Sequence, residues 1–175
     1  MFLSLIEKRR SIRKYTGKPL EAEKIDALVE AALRSPSSRG FNPWEFVVVT
    51  DKTLLEKLSK AKPHGASFLK NAPLGIVVCA DPAKCDVWVE DASIASIFIH
   101  LAAESMGLGS CWIQIRKRMH DQTTTAQAYI RDLLDIPENL SVESIVAIGY
   151  PGEKKPPHLK EELQYEKVHY DFYGN

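Results

Sequence analysis

The run Lys8-Arg9-Arg10-Ser11-Ile12-Arg13-Lys14-Tyr15, followed by Lys18, places six basic residues in the first 18 positions against one acid, Glu7. Guanidinium groups offer a planar fork of donors and Ser11 a hydroxyl, and phosphate oxygens accept from both. An anion is one natural partner. The other reading is a solvated surface, with the cations favourably placed at the C-terminus of a short helix over 2–8. A second segment, Ser35-Pro36-Ser37-Ser38-Arg39-Gly40-Phe41-Asn42-Pro43-Trp44, combines small hydroxyls and a glycine with an amide and two aromatic rings. Backbone donors can approach a ligand closely there, Asn42 can read an amide-like edge, and Phe41 and Trp44 can cover a flat ring. It reads equally as a plain connecting loop. Two further segments, Gly107-Leu108-Gly109-Ser110-Cys111-Trp112-Ile113-Gln114 and Ile148 through His158, are strand edges opening into loops, where binding residues commonly sit. His64, in Lys62-Pro63-His64-Gly65, is a lone imidazole in a loop, which alone reads as exposed.

These segments hang on a regular framework. Ile25, Leu28, Val29, Ala32 and Leu33 recur at helical spacing and predict an amphipathic helix over 21–33, ended by Ser35-Pro36. Short apolar runs predict buried strands over 45–50, 74–80, 110–115 and 142–149, with further helices over 52–60 and 123–134. The stretch 86–106 is helix-compatible for about five turns, yet apolar residues cover nearly its whole circumference. Such a helix must be buried all round. Gly107-Leu108-Gly109 caps it. The tail from Pro151 to Asn175 carries Tyr165, Tyr170, Phe172 and Tyr173, so it is expected to pack in extended form on something. An all-apolar helix and an aromatic tail exceed what one sheet of this size covers, which points to a dimer sharing one core.

Composition limits the classes. The chain has 175 residues, and 23 Lys and Arg balance 23 Asp and Glu, which removes the broad positive footprint of a generic nucleic-acid or anionic-membrane binder. Length and 45% hydrophobic content suit one globular domain, 1–175. The three cysteines form no CxxC and have no His at ligand spacing, so neither a disulfide framework nor a metal site is expected and a reducing cytoplasm fits. The N-terminus runs apolar before basic, the reverse of a secretory signal, and the apolar stretch 92–103 is too short to cross a bilayer. No Walker or G-x-G-x-x-G sequence is present.

Taken in order and spacing, the segments resemble the FMN-dependent nitroreductase family along essentially the whole chain. The signatures are Arg9-Arg10-Ser11-Ile12-Arg13, Ser35-Pro36-Ser37-Ser38 leading to Pro43-Trp44-Glu45-Phe46, Ala72-Pro73 before a buried strand, Gly107-Leu108-Gly109 before Trp112, and Gly149-Tyr150-Pro151. The resemblance implies an α+β three-layer sandwich with a mixed, mostly antiparallel sheet flanked by helices. It implies an intertwined homodimer with FMN in clefts at the interface, residues 151–175 packing on the partner. Arg9, Arg10 and Ser11 then match the phosphate and ribityl contacts, with Lys155 beside them, and Arg13 the N1–C2 carbonyl edge of the ring. Pro36, Ser37, Ser38, Arg39 and Asn42 match the loop laid over the ring by the second subunit, Trp112, Ile113 and Gln114 the strand end on its other side, and His64 a polar ring contact. Many relatives carry Asn and Gln where Gly40 and Asn42 stand here, which bears on amide contacts and substrate preference.

The activity implied is reduction of nitroaromatic, quinone or similar electron-poor small molecules by NADH or NADPH, in a ping-pong cycle through flavin N5, with no side-chain acid, base or nucleophile required. Flavin fragmentation, reductive dehalogenation and a non-catalytic flavin store or sensor are the alternatives. Neither nucleic acid nor membrane is an expected partner.

Overall fold

The structure is a computed structural model and describes residues 2–174. Its centre is β2, Leu74–Ala80, seven residues without a charged side chain, all buried. With β1 (Trp44–Val49), β3 (Gly109–Gln114) and β4 (Ser141–Gly149) it forms one sheet in the order β1-β2-β4-β3, every neighbouring pair antiparallel. A single parallel bridge, Ser11 to Ser110, adds the N-terminal segment beyond β3 and gives the sheet its mixed character.

Apolar residues on both faces of a strand require cover on both faces. Val77 and Cys79 face a layer that includes α3 (Lys52–Leu58) and α5 (Ala126–Leu134), while Ile76, Val78 and Ala80 face α2 (Ala22–Leu33) and α4 (Trp88–Ser105). The result is three layers, the α+β sandwich expected. α2 buries Leu28 and Ala32 from the predicted stripe. Helix starts follow local capping: the Asp51 carboxylate accepts from Leu54 N at 2.8 Å, and Thr125 Oγ1 from Ala128 N at 3.1 Å. α5 therefore begins at Ala126 rather than Thr123, because Asp121 collects the Thr123 and Thr124 N–H groups at 2.8 and 2.7 Å and fixes a turn before it.

Two expectations need correction within one chain. α4 is not buried all round: Ala92, Ala95, Ile99 and Ala103 are buried, but Ile94, Ile97 and Phe98 remain 37%, 43% and 36% exposed. The short helix α1 (Phe2–Lys8) rests against α4 and also leaves Phe2, Leu3 and Ile6 outside. The tail is not simply extended, since it forms 3-10 turns at Lys160–Glu162 and Tyr165–Lys167. Its large side chains, from Leu159 to Tyr173, lie exposed rather than on the chain's own core. Met1 and Asn175 lie outside the described residues.

Candidate functional site

Three of the four segments meet along the outer edge of β3. Gly109 has no side chain where a Cβ would stand 2.8 Å from the Ile12 side chain, so the N-terminal segment can lie directly on the strand. Ile12 N then donates to Ser110 O at 3.0 Å. The fourth segment closes over the first: Gly152 N donates to Lys14 O at 2.8 Å, and the Glu153 carboxylate accepts from Arg13 N at 2.7 Å and Lys14 N at 3.2 Å. Those bonds, Arg13 N foremost, lower the Glu153 pKa. Lys155 Nζ donates to Ser11 O at 2.6 Å, with Glu153 Oε1 3.4 Å away, and Arg10 Nη1 donates to the Pro156 carbonyl. Arg9, Arg10, Ser11, Arg13 and Lys155 are thus gathered at one edge. Neither Arg9 nor Arg13 has a carboxylate partner within ion-pair distance among the described residues.

Two side chains unforeseen from the sequence lie inside this edge. The Cys111 thiol is buried, and burial raises its pKa against the pull of Arg13, Lys155, the Ser11 hydroxyl and Arg9. It stays a thiol. His100 of α4 places Nδ1 2.7 Å from Ser110 Oγ and is held down to about 4, by burial first and the Arg9 charge second. An imidazole kept neutral on folding contributes stability that is complete above its unfolded value of 6.5 and is lost as pH falls toward 4. The full loss corresponds to about 3 kcal/mol. Urea melts between pH 7 and pH 4 are expected to show this slope in the natural protein and to lack most of it in His100→Gln. An unchanged slope in the variant would assign the acid sensitivity elsewhere.

At the far end of β3, Trp112 and Gln114 are half-buried. Trp112 Nε1 donates to Gln114 Oε1 at 3.0 Å, and Gln114 Nε2 to Arg116 O at 3.1 Å, so the two side chains form one hydrogen-bonded plate. Ile113 departs from expectation: its side chain is fully buried in the core on the α3 and α5 side. Ser110 O points outward to Ile12, so strand alternation turns the main-chain groups of Trp112 and Gln114 to the open edge and those of Ile113 to β4. Ile113 presents nothing to a ligand. Glu143 was also not foreseen. β2 and β4 shift register between Val78 and Cys79, leaving Glu143 as the bulged residue, with Oε2 buried and unpartnered and Arg116 Nε 4.0 Å away. Burial raises its pKa.

The second segment lies elsewhere. Ser37 Oγ donates to Asn42 Oδ1 at 2.7 Å and accepts from Asn42 N at 2.9 Å, fixing the loop on itself. Ser38 N donates to Asp91 Oδ1 at 2.8 Å, and Arg39 pairs with Asp86 while stacking on Phe41 at 4.6 Å. The loop, with Pro36, is thereby tied to the start of α4. Through the register Trp44 aligns with Ala80 at one end of the sheet, and Ser110 with Ile148 and Leu74 at the other. With β1 and β3 at opposite edges and Ser11 bridged beyond β3, four strand spacings of about 4.8 Å and a strand length separate the loop from Ser11, on the order of 30 Å. One chain cannot bring both against the same ring.

His64 is exposed on a shallow cavity of about 350 Å³ that it shares with Lys62, Pro63, Arg118 and Met119. A larger cavity, about 590 Å³, opens among Leu20, Ile25, Leu55, Lys70 and Pro73, and contains none of the candidate residues. No helix among the described residues is long and apolar enough to cross a membrane.

A three-layer α+β fold with unpaired guanidinium groups along one edge strand, and a half-buried indole further along that strand, defines a cationic edge with an aromatic side chain on it. The nitroreductase family profile matches residues 6–64 and 60–150. An FMN-dependent nitroreductase of Clostridium difficile R20291 is 50% identical and superposes with a TM-score of 0.96 over 98% of this chain and 99% of that one. A protein of Archaeoglobus fulgidus, provisionally named NADH dehydrogenase/NAD(P)H nitroreductase, is 41% identical over 87% of both chains. The FMN reductase [NAD(P)H] of Bacillus subtilis is 28% identical over 87% of this chain and 68% of that one. The chain belongs to the nitroreductase family and is an oxidoreductase.

Proposed function

We propose that the chain is a single-domain, FMN-dependent oxidoreductase that works as a homodimer and carries electrons from NADH or NADPH to nitroaromatic, quinone or similar electron-poor acceptors. The observation that carries this reading is the split cradle: a cationic edge at β3 whose covering loop sits at the opposite corner of the same sheet. Two copies related by a two-fold axis complete two cradles. The outward faces of α1 and α4 and the aromatic side chains of 159–173 supply apolar surface for that association.

The donor set fits FMN. Arg9, Arg10, Ser11 and Lys155 offer two guanidinium groups, a hydroxyl and an ammonium for a phosphate, and the Arg13 guanidinium suits the negative edge that reduction creates. When bound, FMN would supply the redox chemistry of a ping-pong hydride cycle. The protein's own work is holding and tuning. Glu153 fixes the Arg13 backbone, Arg13 rests 5.9 Å from the Phe68 ring centre, and the hydrogen-bonded pair Trp112 and Gln114 would lie against a bound ring. The Pro36–Asn42 loop of the second copy closes the other. The three cysteines are free and buried, with the Cys79 thiol pushed up to about 12, which suits the reducing cytoplasm.

Purified protein is expected to be yellow, to release one FMN per chain on heating, and to oxidise NADH or NADPH only when a quinone or nitroaromatic acceptor is present. Colourless protein that takes up no added FMN overturns the reading. Bound FMN without acceptor-dependent turnover would make the protein a store or sensor instead.

A further inference from the structure

Fewer than half of the 23 lysines and arginines are engaged by a carboxylate or gathered at the β3 edge. Lys18, Lys24, Arg34, Arg39, Lys60, Arg116 and Lys155 each have a carboxylate within 4.0 Å. The β3 edge claims Arg9, Arg10 and Arg13. Lys62 and Arg118 belong to neither group, and what sets them apart is that they line one cavity of about 350 Å³ together with His64, Pro63 and Met119. Among the described residues neither has a carboxylate in ion-pair distance, and the Arg118 guanidinium donates to the neighbouring Lys117 carbonyl at 3.4 Å.

Three features make this more than a charged surface. Lys62 is half-buried, and its pKa is lowered by burial and then by the Arg118 charge, so the two cations approach each other without an acid between them. Gly65, at φ +76, turns the loop so that Lys62 Nζ folds back across it, 3.6 Å from where a Cβ would stand. The cavity also lies just past the end of β3, since Arg118 N donates at 3.0 Å to the carbonyl of Ile115, the residue after Gln114. Like charges held together in a pocket repel one another until an anion arrives. At about 350 Å³ the cavity suits a substituent of a larger ligand whose ring lies at the edge.

We propose that Lys62 and Arg118, with His64, form an anion subsite of the active site that reads a carboxylate or phosphate group on a substrate. The proposal rests on the flavin reading above and adds a substrate class to it: acceptors or donors bearing an oxyanion. A forked guanidinium and a flexible ammonium can both reach such a group, while Pro63 and Met119 exclude part of its water.

The test uses Lys62→Gln and Arg118→Gln holoenzymes with 4-nitrobenzoate against neutral 4-nitrobenzamide, and NADPH against NADH. A carboxylate-reading subsite raises KM for 4-nitrobenzoate about tenfold in either variant, with kcat within twofold and the amide unaffected. A phosphate-reading subsite raises KM for NADPH about tenfold and leaves NADH unchanged. Equal effects on charged and neutral substrates, or none on any of them, overturn the proposal. So does loss of flavin from the variants, which would place both residues in the cofactor cradle. Titration calorimetry of 4-nitrobenzoate into the natural protein and Arg118→Gln provides a readout that needs no turnover. Failure of the flavin reading would appear separately, as colourless natural protein.

Discussion

Ile97→Glu is expected to turn the yellow dimer into a colourless monomer. Ile94, Ile97 and Phe98 lie three and four residues apart, so they form one stripe on α4, and each remains partly exposed within the chain. The opposite face of the same helix is buried against the sheet, so a charge at position 97 leaves the monomer's own packing intact. In a dimer that carboxylate would be driven into an apolar contact without a partner, at a cost of several kcal/mol. About 4 kcal/mol corresponds to a thousandfold weaker association. In the proposed dimer the cofactor should leave with the partner, because there the Pro36–Asn42 loop covering each cradle comes from the other copy. Sedimentation at micromolar concentration reads the first effect and flavin absorbance after desalting the second, with circular dichroism confirming the fold. A variant that stays dimeric and yellow would move the interface away from α4.

The framework was legible because its signals are local. The stripe from Ile25 to Leu33 needs only helical spacing, and the all-apolar 74–80 run needs only a sheet covered on both faces. What escaped depends on pairing, which spacing cannot carry. Ile113 looked like a ligand contact because it stands between Trp112 and Gln114, and a strand's alternation sends it into the core for that very reason. Glu143 interrupts an apolar strand, a visible anomaly, but its meaning lies in a register shift against Val78 and Cys79. Lys62 and Arg118 are 56 positions apart and meet only through tertiary folding. The nearly all-apolar circumference of α4 led to an expectation of cover on every side, and the single chain provides only part of it.

Arg9→Ala is expected to weaken FMN binding by about a hundredfold while Arg10→Ala costs far less. The two arginines adjoin in sequence and differ in what already engages them. Arg10 Nη1 is committed to the Pro156 carbonyl, so part of its work is holding the fourth segment against the first. Arg9 is half-buried, acts on both His100 and Cys111, and meets no carboxylate among the described residues. Its charge is therefore available to a phosphate in surroundings that screen it poorly. A charge-assisted contact of this kind contributes about 2–3 kcal/mol, or roughly 30- to 150-fold in affinity. Arg9→Lys should restore only part of the loss, since an ammonium supplies the charge without the planar pair of donors. Fluorescence titration of flavin-free protein with FMN at 0.1 M and 0.5 M salt would measure all three variants. The natural protein should lose more affinity than Arg9→Ala as salt rises, because it has one more ionic contact to screen. Equal affinities for the natural protein and Arg9→Ala would remove the phosphate from this edge of β3, and with it the assignment of Ser11 and Lys155.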